Sequence, residues 1–312
     1  MAGKRILITG STGFLGSAVT RALRARNSDQ VYETPGRKLC DLRNPQHVQR
    51  LFTETEPTHV IHCAYPGTDG IASMLKTPAT ITQDLLRMDL NVLEAAAVHD
   101  VQRFIAIGSA CAYPEVVGFP TAEHELWNGA PEPVNRPYGV AKRMLQVMLE
   151  AWEREASLPY SYLILSNLYG PGYPSQHVIQ ATIRKCLEAK AWGSDSITIW
   201  GTGKASREFL YIDDAARAVL AALDTPVAEP GPINICSGEE VTIWQLVDLI
   251  KAYTHYQGEI LWDPRKPDGQ ARRWFSNVRA AQLLNWQPHL PFLDGLRYTV
   301  DWYTEHGPWE RP

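Results

Sequence analysis

The sequence predicts a doubly wound α/β fold, with a parallel sheet and a smaller C-terminal α/β domain. Three observations carry that prediction. Short apolar runs, "KRILIT", "THVIHCA", "RFIAIG" and "SYLILSN", recur through the first half of the chain, and runs of this length bounded by turns suit buried strands. Stretches with helical periodicity, including 84–99 and 138–155, lie between them; strands alternating with helices make parallel sheets with crossover helices. The texture then changes at "YGPGYPSQ", rich in glycine and proline, and shorter elements follow.

The first strand runs into "GSTGFLG" and then "SAVTRALRAR", whose basic residues fall late, where they suit the helix dipole. Gly10, Gly13 and Gly16 are spaced by three. Without side chains they let a pyrophosphate approach the backbone, and the helix that follows offers unpaired N–H groups. Residues 1–169 are therefore expected to form a dinucleotide-binding Rossmann domain, and 170–312 a substrate domain. Segments within about 209–236, from "REFLYIDDAARAVLAAL" to "GPINICSG", are expected to return to the first domain. Asp213 and Asp214 are expected to cap the helix that follows them and to order the domain interface.

At 312 residues the chain is long enough for one large or two moderate domains, and its 45% hydrophobic content is that of an ordinary globular protein. The formal net charge is -4 and no long basic run occurs, so no nucleic-acid partner is expected. The apolar run after Lys4 and Arg5 is short and ends in glycines, so no secretory leader is expected. No membrane association is expected either, because no segment is long and apolar enough to span a bilayer. The five cysteines, at 40, 63, 111, 186 and 236, have neither metal-ligand nor disulfide-framework spacing. They suggest a reduced, cytoplasmic protein without a metal.

After the second strand, "QVYETPGRK" sends mixed signals. Glu33 favours NAD, whereas Arg37 and Lys38 favour the extra phosphate of NADP. NADP(H) is the expected cofactor, with NAD(H) the alternative. Further on, "PYGVAKR" puts Tyr138 and Lys142 four residues apart, on one helical face. An ammonium beside a phenol favours the phenolate and readies the tyrosine as a proton donor near neutral pH. Ser109, at the end of a strand, offers a hydroxyl to a carbonyl oxygen. His62 in "VIHCA" reads as structural.

Taken together, the glycine turn, the serine after the fourth strand and the Tyr-Lys pair resemble the extended short-chain dehydrogenase/reductase family over nearly the whole chain. The resemblance implies hydride transfer at a carbon of a nucleotide-linked sugar. "CDLRN" fits too, with Asp41 similar to the adenine-side aspartate; the resemblance also implies cofactor contacts from Thr12, Phe14, Leu15 and Leu42. The stretches "SACAYP", "SNLYGPG", "QHVI", "WGTGKASREFLYIDD" and "KPDGQARR" further resemble its GDP-L-fucose synthase branch, which carries out epimerisation and reduction. That branch implies Cys111 and His177 as the epimerisation pair, and substrate contacts from Asn167 and Trp200. Family dehydratases carry an Asp-Glu pair where this chain has "ACA" at 110–112. The acid needed to expel a hydroxyl is missing there. Lys185, Arg207 and either Arg272 or Arg273 are candidates for a nucleotide diphosphate or its sugar.

The expected activity is NADPH-dependent 3,5-epimerisation and 4-reduction of a GDP-4-keto-6-deoxy-hexose to GDP-L-fucose. The alternatives are an epimerase or 4-reductase for a different nucleotide sugar or heptose, and a sensor that binds a dinucleotide without turnover. A homodimer through helices at about 84–99 and 138–156 is implied by the family. Two positions depart from the branch: Asp69 stands where a glycine is usual, and Ser276 where aspartate is common. The ten tryptophans have no explanation in the sequence.

Overall fold

The structure is a computed structural model and describes residues 3–26, 29–34, 36–67, 71–173, 177–225, 230–266 and 268–307. The larger layer is built from β1 (Arg5–Thr9), α1 (Phe14–Arg26), β2 (Gln30–Glu33), α2 (Pro45–Thr55), β3 (His59–His62), α3 (Ile71–Lys76), α4 (Pro78–Val98), β4 (Arg103–Ser109), α5 (Arg136–Ala156) and β5 (Tyr160–Leu165). Next come β6 (Asn167–Tyr169), α6 (Val178–Trp192), β7 (Ser196–Trp200), β8 (Ser206–Tyr211), α7 (Ile212–Asp224) and β9 (Pro232–Ile235). The chain closes with β10 (Glu240–Thr242), α8 (Ile243–Tyr253), β11 (Glu259–Asp263), α9 (Val278–Leu284) and α10 (Phe292–Glu305).

Six strands form one parallel sheet in the order β2-β1-β3-β4-β5-β9. The apolar runs are continuous because both faces of this sheet are covered. Val48, Phe52, Val92, Leu93, Leu145 and Leu149 of α2, α4 and α5 pack one face. Val19, Leu23, Ala215, Val219, Leu284 and Trp286 join the core on the other, supplied mainly by α1, α7 and α9. By contrast, β7 alternates buried and exposed residues, as a strand with one wet face should. It pairs with β11, and its buried Ile197 and Ile199 join a separate core with Ile183, Leu246, Ile250, Leu296 and Val300.

In the sheet, β2 lies on one side of β1 and β3 on the other. The strand order reverses there, and the crevice beyond the strand ends is where this class of fold takes its ligand.

Within 209–236, β9 joins the central sheet beside β5, and α7 packs in the core with α1. The strand that precedes both differs from the expectation. β8 pairs with β6 and β10 in a three-stranded sheet of its own. Only Ser166 separates β5 from β6, so the chain leaves the central sheet there and offers β8 a new edge. Helix α9 also packs on the large layer, although its residues lie beyond 236.

Asp213 and Asp214 do not cap α7. The N-cap is Tyr211, and no side chain caps it. Asp213 pairs with Arg21 at 2.8 Å, and the buried Asp214 accepts the N–H groups of His289 and Leu290, each at 3.0 Å. That carboxylate docks the segment leading into α10 instead of capping the helix.

Candidate active site

The glycine turn leaves β1 through Gly10, whose φ of 68° and close approach to Ala64 exclude a side chain: a Cβ would lie 2.7 Å from Ala64 Cα. Thr12 and Gly13 are exposed, and a Cβ on Gly13 would meet only the Gly10 carbonyl, at 3.1 Å. Phe14 begins α1, and Leu15 and Gly16 are buried behind the turn. An open backbone at a helix start suits a pyrophosphate, so the residues present fit a dinucleotide.

At the adenosine end, Asp41 is gripped by Arg43, whose Nε and Nη2 lie 2.9 and 2.5 Å from its carboxylate oxygens. This hydrogen-bonded guanidinium holds the Asp41 carboxyl down to about 2. Arg43 also reaches Asp84 at 2.9 Å, and Arg37 lies 3.6 Å from the same carboxylate. Asn91 donates to the Leu42 carbonyl at 2.9 Å. The mixed signal of the second strand separates here. Glu33 pairs with Arg24, whereas Arg37 is exposed beside Asp84.

Ser109 ends β4 and caps a short helical turn, Ala110–Ala112, by accepting the Cys111 N–H at 3.2 Å. The strand end thus fixes the backbone of Cys111 against the Ser109 hydroxyl. Helix α5 comes close because residue 139 is glycine; a Cβ there would overlap the Cys111 carbonyl. Arg143 fastens the two, donating to the Ala112 carbonyl at 2.7 Å and to Gly129 at 2.8 Å.

One turn of α5 earlier stands Tyr138, half-buried and edge-on to Tyr65 at 5.6 Å. Burial pushes its phenol well above the usual range, and the hydrogen bond with Ser109 pulls the other way. Lys142 was expected to draw that phenol down, but it does not outweigh burial. Its ammonium pairs instead with Asp89, at 3.7 Å.

Arg273 is buried, with Nη1 3.4 Å from Cys111 Sγ and Nε donating to Gln270 at 2.8 Å. Arg207 lies in the same cluster. Burial, and then the like charge of Arg273, bring its guanidinium down to about 10. Its N–H groups donate to the carbonyls of Ser206 and Asp268 at 2.7 and 3.0 Å. His177 is the exposed N-cap of α6. Its ring lies 5.6 Å from Tyr173, which stacks on Phe14 at 4.0 Å, so the start of α6 meets the start of α1.

Other candidates have local partners. Asn167 donates to the Glu208 carbonyl at 2.9 Å, tying β6 to β8. Lys185 donates to Thr198 at 2.7 Å, and burial lowers its proton affinity. Trp200 is exposed, with Lys266 5.1 Å from its ring centre. Arg272 takes Glu240 with two N–H groups, each at 2.7 Å, between the rings of Phe119 and Trp274. Neighbours in extended chain point opposite ways, so of the two adjacent arginines it is Arg273 that faces the thiol. His62 is buried, with a partner on each ring nitrogen. Ser276 ties its N–H to Thr121 at 2.9 Å. Asp69 and Gln176 lie outside the described residues.

Sequence reasoning missed Asp89, Gln270 and Arg43, and ranked Arg272 beside Arg273. The alternation of an extended segment was the available signal for Arg273; a lone aspartate on an apolar helix face was the one for Asp89.

Residues 6–236 match the family model described as the NAD dependent epimerase/dehydratase family. GDP-L-fucose synthase 1 of Arabidopsis thaliana is 33% identical over 312 residues, covering 97% of this chain and 94% of the plant protein. The GDP-L-fucose synthase of Escherichia coli (strain K12) is 31% identical, covering 98% of each chain. Among solved structures, a GDP-L-fucose synthetase from Naegleria fowleri bound to NADP superimposes with a TM-score of 0.84 at 29% identity, covering 96% of this chain and 94% of that one.

Proposed function

This chain belongs to the NAD dependent epimerase/dehydratase family, and we propose that within it the chain epimerises GDP-4-keto-6-deoxy-D-mannose at C3 and C5 and reduces C4, giving GDP-L-fucose with NADPH as reductant. The observation that carries this reading is Cys111. A cysteine whose backbone N–H is capped by Ser109, and whose thiol has a guanidinium 3.4 Å away, adds an acid–base group to a hydride-transfer site. The relatives named for this activity align along almost the entire chain.

Protons at C3 and C5 are acidified by the C4 ketone. Cys111 exchanges them on one face of the ring and His177 on the other, with inversion. Arg273, with Nη1 3.4 Å from the Cys111 sulfur, fixes where the thiol points. Ser109 and Tyr138 hold the enolate oxygen. When bound, the reduced nicotinamide supplies a hydride to C4; Tyr138 gives the alkoxide its proton. The high proton affinity that burial confers on Tyr138 suits a donor at rest. Gly10, Thr12, Gly13, Phe14, Leu15 and Gly16 hold the pyrophosphate, Asp41 and Leu42 the adenine side, and Arg37 the ribose phosphate. Arg207 and Lys185 hold the GDP end with Asn167 and Trp200.

The same reading includes a homodimer through α4 and α5, whose outer faces expose Leu90, Val140, Met144 and Val147. No described helix is long and apolar enough to cross a membrane. The proposed location is the cytoplasm, whose reducing conditions suit the five free thiols.

The test is incubation with GDP-4-keto-6-deoxy-D-mannose and NADPH. The expected outcome is GDP-L-fucose with one NADPH oxidised per sugar. Isomerised ketone with no NADPH oxidised, or turnover only of another nucleotide sugar or heptose, would overturn it. In a thermal-shift panel, GDP-linked sugars at 100 times their dissociation constant should stabilise the protein by about 2.7 kcal/mol.

A further inference from the structure

Behind Lys142 runs a buried chain of polar groups that the reaction as written does not use. The Thr9 hydroxyl meets His62 Nδ1 at 2.6 Å, His62 Nε2 meets Asp89 Oδ1 at 2.9 Å, and Asp89 Oδ2 faces Lys142 Nζ at 3.7 Å. The side chains of His62, Asp89 and Lys142 are 1%, 3% and 6% exposed. Asp89 stands on the inner face of α4, among the buried Leu85, Val92 and Leu93. A carboxylate in such a place is costly unless it is paired. Its Oδ1 is taken by His62, while Oδ2 has no hydrogen-bond partner among the described residues and has the ammonium in front of it.

We propose that Asp89, oriented by His62, is a positioning residue for Lys142: it supplies the buried counter-charge that holds the ammonium in register with Tyr138, one helical turn away. The other titratable groups facing the pair are Cys63, beyond β3, and Tyr162 of β5, whose hydroxyl donates to the Lys142 carbonyl at 2.7 Å. Burial pushes the Cys63 thiol up to about 12 and raises the Tyr162 phenol too, so both stay neutral at working pH. Tyr138, raised in the same way, stays neutral as well. Among these neighbours, Asp89 is thus the anion available to Lys142. The role in turnover rests on the reading of Lys142 and Tyr138 as the reduction pair; the charge role does not.

Two readouts separate those layers. The first is the ¹⁵Nζ titration of Lys142 in the cofactor-free protein, its signal assigned by loss in Lys142→Arg. In Asp89→Asn the midpoint should fall by about one unit or more, because an opposite charge within about 4–6 Å shifts a group by that much. The second is the pH profile of NADPH-dependent reduction. In Asp89→Asn its alkaline limb should move to lower pH, with kcat down about tenfold and KM for the sugar nucleotide nearly unchanged; Asp89→Glu should restore the limb. If Asp89→Asn does not fold, the smaller Asp89→Ser should give both shifts. A folded variant with parental midpoint and parental limb would overturn the proposal. A shifted midpoint in a protein whose parent reduces no 4-keto sugar nucleotide would retain the charge role and overturn the reduction reading.

Discussion

Tyr138 and Lys142 stand one turn apart on α5, and Lys142 is buried against the central sheet. Cys111 and His177 come from a short turn after β4 and from the exposed start of α6. The first pair is set by a single helix and needs only that helix to be right. The second pair spans both layers, and the thiol's charged neighbour, Arg273, arrives from a third segment 162 residues away. Positions fixed by helical geometry are insensitive to how the smaller domain sits, whereas those assembled across the crevice depend on it. Reduction and epimerisation should therefore fail separately.

Tyr138→Phe gives the largest expected effect. Reduction should fall by about 10²–10⁴-fold, the range for a lost general acid, while exchange of the C3 and C5 protons survives in part. Cys111→Ser should do the converse, slowing that exchange by roughly 10²-fold because a serine hydroxyl ionises far less readily than a thiol. NMR of the sugar in D₂O reads both variants. Equal loss of both activities in each would break the comparison, and exchange at the parental rate in Cys111→Ser would make the thiol a packing residue.

Arg273→Gln sharpens the spread half of the site. A hydrogen bond from a charged donor to the sulfur, of about 1.5–3 kcal/mol, is removed, so exchange should slow by about tenfold or more with reduction of pre-epimerised ketone little changed. Equal slowing of reduction would show that Arg273 serves the sugar nucleotide instead. On the cofactor side, Arg37→Ala should cut the preference for NADPH over NADH about two- to fivefold, the scale of an exposed charge contact, as measured by the ratio of kcat/KM values. An unchanged ratio would leave the phosphate to other groups.

The smallest effect tests Asp41. Its carboxyl is lowered from 3.8 to about 2 in the folded state, chiefly by Arg43. A depressed folded value stabilises above the unfolded one and is lost as pH falls through the folded one. Arg43→Gln should thus lower stability near pH 6 by about 1 kcal/mol or less, and the deficit should shrink as pH falls from 3.8 toward about 2. Denaturant titrations at both ends check it; a constant deficit would assign the loss to packing or to Asp84.

What the sequence made legible follows the same division. The glycine turn, the strand-helix alternation and the Tyr-Lys spacing are local patterns, and each corresponds to an element on the large layer. The fate of β8 was hidden because a strand's apolar run does not state which sheet it joins. Asp89 sits on the apolar face of "LLRMDLNV", but nothing in that stretch names its partner, a histidine 27 residues earlier. Adjacent arginines look alike in sequence until the extended backbone between them is known. The tryptophans divide without a common role: Trp286 is buried and donates to the Asp214 carbonyl at 3.2 Å, Trp127 lies under Arg143, and Trp244 is exposed.

Gly139 adds a constraint on how such a protein can change. Since any β-carbon at 139 would collide with the carbonyl of Cys111, the helix bearing Tyr138 and the turn bearing Cys111 share one spacer of zero thickness. A lineage is free to replace Cys111 or Tyr138 one at a time. It is not free to enlarge residue 139, because that single step displaces both tools together.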